Sequence, residues 1–319
     1  MERNSKPGNN VVAVTGASGF LGQAVARRLV ESGHEVICVG RGASGKITQG
    51  PVSYRQVNYD DDASIARAIE GVSAIVHCAG LAHVHLPDQA GELYRRVNRD
   101  YTMRLWQAAC RQGCHEFIFA SSIKAFGDDH GEAALHEDSD CSPGTPYGIS
   151  KLEAERGLLG SRTAGAPRLH ILRLPPMYGP GMKGAIRHLF RAARLHLPLP
   201  LWGLISRRSV LSVENAARLV EFMIRGGASC ATIYAPHEPE TMTPGELYNR
   251  IYRATHGKDL PRWLRWPAPG WLRMLMARSG KLQALTHSLR LQSKYMSVYE
   301  NAGFRSLDEC MRAVAGDLD

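Results

Sequence analysis

Tyr147 and Lys151 stand four residues apart in Tyr147-Gly148-Ile149-Ser150-Lys151, a spacing that brings both side chains to one face of a helix. A phenol with its ordinary pKa of about 10 is a poor acid or base at neutral pH, and a neighbouring ammonium corrects this by stabilising the phenolate. Ser122 follows the apolar run Phe117–Ala120, so it falls at a strand end and can hold a substrate oxygen against the phenol. These three groups suit proton transfer at an oxygen passing between carbonyl and alcohol. Tyrosine and lysine at this spacing are frequent by chance. The pair gains weight from what lies upstream.

Upstream stands Gly16-Ala17-Ser18-Gly19-Phe20-Leu21-Gly22, three glycines spaced G-x-x-G-x-x-G. Glycine lets the backbone turn tightly and approach a pyrophosphate, which then sits on the N–H groups of a helix start. The preceding Val11–Thr15 is a β-branched apolar run, as in a strand buried on both faces, and Leu21, Val25 and Leu29 recur after it at helical spacing. Glu35–Val39 reads as a second strand. Strand, glycine turn, helix and strand within about thirty residues form the βαβ unit that holds a dinucleotide. Eighteen residues after Gly22, where an NAD enzyme usually carries an acid for the ribose 2′-hydroxyl, the chain has Gly40 and then Arg41. A missing carboxylate and an added guanidinium suit a 2′-phosphate. NADP(H) is therefore expected, with NAD(H) as the alternative.

The alternation continues through strands at Val52–Val57, Ala74–Cys78, Phe117–Ala120 and Leu169–Leu174, with helical patterns between them. This predicts an α/β protein with a Rossmann-type, doubly wound parallel sheet. The expected organisation is a dinucleotide-binding domain over 1–180 and a smaller, mostly helical substrate lobe over 181–319, part of which returns to the sheet. Proline-rich breaks are expected at Pro198-Leu199-Pro200 and Pro267-Ala268-Pro269.

Composition fits that picture. With 319 residues, 44% hydrophobic and 22% charged, the chain is neither disordered, collagenous nor a disulfide scaffold. Seven cysteines without C-x-x-C spacing argue against a zinc ribbon, and Cys110 and Cys114 read as packing. His83-Val84-His85 has no third ligand nearby, so no metal is expected. No apolar run reaches a membrane span and no signal peptide is visible; a reduced, cytoplasmic protein is expected. Residues 1–181 hold 19 Lys+Arg and 19 Asp+Glu, whereas 182–319 hold 20 and 11, so the whole net charge of +9 lies in the second part. That part should meet something anionic.

These residues carry a resemblance across nearly the whole chain. It looks like an extended short-chain dehydrogenase/reductase of the nucleotide-sugar epimerase/dehydratase group. The matches are T-G-A-S-G-F-L-G at 15–22, H-C-A-G at 77–80, V-N-R-D-Y-T-M-R-L at 97–105, S-S-I-K-A-F-G at 121–127, Y-G-I-S-K at 147–151, L-R-L-P-P-M-Y-G-P-G at 172–181 and R-S-V-L-S-V-E-N at 208–215. The resemblance implies that Ser122, Tyr147 and Lys151 are the catalytic triad. It implies cofactor contacts from Gly16, Ser18, Gly19, Phe20, Leu21, Gly22, Arg41, Tyr59, Cys78, Ala79, Gly80, Asn98 and Pro175. Asn58 stands where the family commonly has an aspartate against the adenine. Arg208 matches the arginine that pairs with the substrate diphosphate, with Lys183 and Arg207 as further candidates, and Lys124 and His83 would border the sugar.

Two departures narrow the choice. Pro176 replaces the asparagine usual in sugar-nucleotide 4-epimerases, and Ile123-Lys124 after Ser122 lack the acid pair of dehydratases. The chain resembles most the bacterial reductases of UDP-4-keto-6-deoxy-HexNAc that serve O-antigen assembly. The implied substrate is a nucleotide-diphosphate sugar. A 4-epimerase with tightly bound NAD is the nearest rival. A non-catalytic NADPH-holding scaffold, working through its basic lobe on RNA or a membrane, is a third reading; the intact triad weighs against it, so nucleic acid is not an expected partner. Arg262-Trp263-Leu264-Arg265-Trp266, with Trp271 and Arg273 beyond, mixes aromatics and cations as an interfacial anchor does, and equally suits a lobe cover or an oligomer contact. Family members are often dimers through the two long helices that flank the sheet, and a homodimer is expected.

Overall fold

The structure, a computed structural model, describes residues 11–42, 50–82, 90–127, 133–228, 232–271 and 288–317. Strand β1 (Val11–Thr15) is buried along its whole length, as a strand with neighbours on both edges and helices on both faces must be. Helix α1 (Phe20–Glu31) lays Leu21, Val25 and Leu29 against the sheet, each such burial stabilising by roughly 1.5–3 kcal/mol. β2 (Glu35–Gly40), β3 (Val52–Gln56), α2 (Asp62–Ala68) and β4 (Ala74–His77) complete the first half. A long helix follows as α3 (Ala90–Arg95), a π turn (Arg96–Asp100) and α4 (Tyr101–Arg111), and then β5 (Glu116–Ser122).

The second half contains β6 (Ala134–Leu135), α5 (Pro146–Gly160), β7 (Arg168–Leu174), β8 (Met177–Tyr178), α6 (Ala185–Arg194), β9 (Leu199–Trp202), β10 (Leu211–Ser212), α7 (Val213–Ile224) and β11 (Ile233–Tyr234). It ends with α8 (Pro244–His256), β12 (Arg265–Pro267), β13 (Arg290–Leu291), α9 (Met296–Asn301) and α10 (Leu307–Gly316). The main sheet has seven strands in the order β11-β7-β5-β4-β1-β2-β3, every neighbouring pair parallel. The chain order reverses between β1 and β4, and in such sheets ligands bind beyond the carboxyl ends of the strands at that switch point.

One face of the sheet packs α1 and α7, the other α2, α4 and α5. A third core, containing Tyr178, Phe190, Tyr248 and Met311, belongs to the C-terminal part, and Phe20 touches both it and the first core. The region after residue 180 is mostly helical, with several short strands among its helices. β11 joins the main sheet, β9 pairs with β12, β10 with β8 and β13 with β6. These strands are only two to four residues long, too short for alternation to show. The expected break at Pro198-Leu199-Pro200 instead leads into β9. A two-stranded ribbon has free edges, so a proline without its N–H costs no ladder bond there. Among the described residues, no helix is long and apolar enough to cross a membrane.

Candidate active site

The glycine loop lies where β1 ends. Gly16 has φ +68°, and a Cβ there would stand 2.7 Å from the backbone nitrogen of Ala79. A Cβ on Gly22 would stand 2.3 Å from the carbonyl oxygen of Gly16. Only glycine lets α1 start this close to β1 and to the Cys78–Gly80 turn after β4. Gly19 caps α1 without any side-chain bond, the first turn holds no acid, and Ser18 and Gly19 are exposed. An uncapped helix start behind a glycine cradle fits a dinucleotide pyrophosphate. At the end of β2, Arg41 is exposed, and its carbonyl accepts a bond from Gln56 Nε2 at 2.9 Å. Asn58 turns into its own loop, where its Oδ1 accepts from the Asp60 amide at 3.1 Å. Tyr59 is buried and stacked on Tyr101 at 5.1 Å, and burial pushes its phenol up to about 12.

Beneath this cradle runs a polar chain that sequence reasoning missed. His77 Nδ1 meets Thr15 Oγ1 at 2.7 Å, and its Nε2 meets Thr102 Oγ1 at 2.9 Å. Thr15 Oγ1 also accepts from the Ala79 amide at 3.2 Å. Burial, with the nearby Lys151 cation, drives the His77 pKa down to about 3. A neutral imidazole thus fixes the floor. Asn98 lies in the π turn, where one extra residue per turn alters the facing of the helix. Its Oδ1 accepts from the Leu81 amide at 2.7 Å, and its Nδ2 donates to Leu81 O and to Ser150 Oγ, both at 3.0 Å. Ser150 in turn donates to the Tyr147 carbonyl at 2.8 Å. Asn98 therefore joins the turn after β4 to the first turn of α5.

Thr145 caps α5 by accepting from the Gly148 amide, and Pro146 takes the first helical position, where its missing N–H costs nothing. Tyr147 and Lys151 then fall one turn apart. Burial raises the Tyr147 pKa above the ordinary phenol value, and the neighbouring Ser122 hydroxyl opposes that shift by less. Tyr94 packs its ring edgewise on Tyr147 at 5.9 Å, a contact the sequence did not suggest. Ser122 Oγ also accepts from the Lys124 amide at 3.2 Å. Lys151 is buried, donates to the Ala120 carbonyl at 2.8 Å and lies 4.6 Å from the Phe119 ring centroid. Burial lowers its pKa to about 8, partly opposed by Cys78 and Glu155. A Cβ on Gly80 would stand 3.4 Å from Lys151 Nζ, so Gly80 keeps the ammonium open to the cofactor side. Cys78 stays a thiol, pushed up to about 12 by burial.

The structure thus brings together Gly16, Gly22, Cys78, Ala79, Gly80, Asn98, Ser122, Tyr147 and Lys151. Pro175 is buried, and the Pro176 carbonyl accepts from the Leu211 amide at 3.1 Å. Phe20 approaches the turn at Gly179, whose added Cβ would meet both Val213 and Phe20. Leu21 belongs to the core. Arg208 is half-buried, its backbone bonded to Met242 in both directions, and burial lowers its pKa. Arg207 is spent elsewhere: its guanidinium donates to the Thr241 carbonyl at 2.9 Å and meets Glu246 at 3.3 Å. Lys183 is exposed in the turn before α6, and Lys124 is half-buried in a short 3₁₀ turn after Ser122. His83 and Arg273 lie outside the described residues.

Behind the triad, Glu155, two turns beyond Tyr147 on α5, accepts from Ser121 and pairs with Arg173 at 2.8 Å, both partners buried. Arg173 also donates to the Glu137 carbonyl at 3.0 Å and covers the Phe126 ring at 4.4 Å. No local pattern signals this pair, because its members lie on different elements.

A protein-family model described as the NAD dependent epimerase/dehydratase family matches residues 12–235. The chain is 28% identical over 274 residues to a UDP-glucose 4-epimerase of Vibrio cholerae, covering 84% of this chain and 81% of that protein. It is 29% identical over 276 residues to a ceramide reductase of Caulobacter vibrioides, covering 82% and 75%. A solved Thermus thermophilus UDP-glucose 4-epimerase in complex with NAD superposes with a TM-score of 0.72 at 21% identity, covering 96% of this chain and 98% of that one. At that identity the likeness is one of fold.

Proposed function

The chain belongs to the NAD-dependent epimerase/dehydratase family, and from that premise we propose that it reduces the C4 ketone of a nucleotide-linked 4-keto-6-deoxy-hexosamine with NADPH, in the assembly of a surface polysaccharide such as an O-antigen. The observation that carries this reading is Tyr147, set beside Ser122 and one helical turn from the buried Lys151 on α5. When bound, the reduced nicotinamide supplies the hydride. Tyr147 gives its proton to the oxygen that becomes the C4 hydroxyl, and Ser122 donates a hydrogen bond to the same oxygen as charge gathers there. Lys151 stabilises the phenolate left behind and reaches the ribose hydroxyls. The glycine cradle and α1 hold the pyrophosphate, and Arg208 neutralises the substrate diphosphate. Gly40 and Arg41 at the end of β2 favour the 2′-phosphate of NADPH, and net reduction uses a cofactor that leaves after each turnover.

The name of the Vibrio cholerae relative supports a second reading, a UDP-sugar 4-epimerase that retains NAD and uses the same triad in both directions. One experiment separates them. The chain is mixed with NADPH and a UDP-4-keto-6-deoxy-HexNAc generated in place by a dehydratase, and the absorbance of the reduced nicotinamide is followed. Stoichiometric loss is expected, slower with NADH and reduced by about a hundredfold or more in Tyr147→Phe. Interconversion of UDP-hexoses without added cofactor, and no loss of absorbance, would make it the epimerase.

A further inference from the structure

Eight large apolar side chains are exposed among the described residues, and six of them, Leu195, Leu197, Ile205, Trp263, Trp266 and Trp271, lie on two segments that meet in the C-terminal part. They meet through the parallel ribbon of β9 and β12, in register at Arg265↔Leu199 and Trp266↔Pro200. Trp263 and Leu197 each lie two residues before the first pair, and Ile205 and Trp271 follow the last. The inner side of the ribbon is ordinary core, with Leu201, Leu264 and Ala268 buried. The outer side chains are held in the open: Ile205 is 80% exposed, and Trp263 and Trp271 are each 68% exposed.

This exposure is built into the backbone. His196 takes the left-handed conformation at φ 51°, unusual for a residue with a Cβ. The Leu197 amide donates to Ala192 O at 2.9 Å, and the Leu197 carbonyl accepts from the Tyr248 hydroxyl at 2.6 Å. The loop that presents Leu195 and Leu197 is therefore pinned to α6 and α8. Trp266 Nε1 donates to the Trp263 carbonyl at 3.1 Å, which fixes the Trp266 indole against the backbone of the preceding turn.

Charge identifies the occupant. Residues 183–205 contain four Lys+Arg and residues 260–271 two, and neither segment contains a single Asp or Glu. On α6 the exposed residues include His188, Arg191 and Arg194, which flank the Leu195–Leu197 loop. Indole rings and arginines around aliphatic side chains match the boundary between lipid head groups and acyl chains, where apolar area is buried and cations meet phosphate. A nucleic acid would reward the arginines and stack on the tryptophans, but it offers Leu195, Leu197 and Ile205 nothing. We propose that this ribbon face is a docking surface for an anionic phospholipid membrane, which holds the protein at a lipid surface by one side without spanning it.

The test is flotation of the full-length chain with vesicles of phosphatidylcholine alone and of phosphatidylcholine mixed with phosphatidylglycerol, at physiological salt. Binding to the mixed vesicles alone is expected, with a blue shift of tryptophan emission. Trp263→Ala combined with Trp266→Ala should abolish it, while the far-ultraviolet circular dichroism stays unchanged. Arg191→Gln and Arg194→Gln should each weaken partitioning by about fivefold. Failure to float with the mixed vesicles would overturn the proposal, as would undiminished flotation of the tryptophan variant. Two further results would overturn it in favour of another occupant: a dimer in sedimentation that the tryptophan pair dissociates without any lipid binding, or retention of single-stranded RNA without lipid binding.

Discussion

At the scale of single residues, the site depends on a lysine held where its charge is costly. Lys151 is buried and its pKa is lowered to about 8 from an ordinary 10.5. Between those values the unfolded chain binds more protons than the native one, so this group makes stability rise with pH, by up to about 1.4 kcal/mol per pH unit. Activity should move the other way. Reduction needs the Tyr147 proton and the Lys151 charge together, and burial keeps the phenol protonated well past neutrality. The rate of ketone reduction is therefore expected to be level below about pH 8 and to fall above it, while urea unfolding of the cofactor-free protein shows Lys151 adding stability over the same range. Comparing wild type with Lys151→Met at several pH values checks both trends. A wild-type rate that stays flat to pH 10 would show that Lys151 is not the group setting the limit.

At the scale of elements, the site is made by close approach of backbone to backbone. A Cβ on Gly148 would stand 2.4 Å from the Lys124 carbonyl oxygen and 2.9 Å from Pro143 Cβ, so α5 reaches the turn after β5 only because residue 148 is glycine. Gly148→Ala is expected to cost about 1–3 kcal/mol, seen as a lower urea midpoint. It should also lower kcat with little change in NADPH affinity, because it parts Tyr147 from Ser122 and leaves the glycine cradle intact. Loss of NADPH affinity as large as the loss in kcat would mean that the strain had spread into the cradle. Glycines 16, 19 and 22, Tyr147, Lys151 and Ser122 were legible in the sequence because each lies in a local pattern tied to a strand end or a helix start. The π turn was not, since α3, the turn and α4 form one continuous helix whose extra residue leaves no mark on the apolar spacing. Nor were the links from His77 to Thr15 and Thr102, or from Glu155 to Arg173, because those partners lie 18 to 62 residues apart. Asn58 was legible as a position but not as a contact, because a short polar side chain readily bonds its own loop.

At the scale of the whole molecule, the C-terminal part is stitched to the sheet by buried polar groups as well as by apolar packing. Glu137, just after β6, accepts from the Ala235 amide at 3.2 Å, from the Lys294 amide at 3.1 Å and from the Ser293 hydroxyl. Ser293 follows β13, which pairs with β6, and the residue before β13, Leu289, bridges to Arg208. One carboxylate therefore holds the segment just after β11, the segment after β13 and, through Leu289, the isolated bridge at Arg208. Removing it leaves buried amide donors without partners, a loss of about 1–3 kcal/mol for each unsatisfied group. Glu137→Ala should lower stability by several kcal/mol in urea unfolding, and Glu137→Gln, which keeps one acceptor oxygen, by less. The kinetic consequence separates this coupling from a general loosening. Arg208 faces the substrate diphosphate in the proposed reaction, whereas the glycine cradle is built at the end of β1 from residues that Glu137 does not touch. Glu137→Gln is therefore expected to raise KM for the nucleotide sugar several-fold while NADPH binding, followed by nicotinamide fluorescence, stays at the wild-type value. Equal weakening of both ligands would show that the carboxylate supports the fold at large and does not set the position of Arg208.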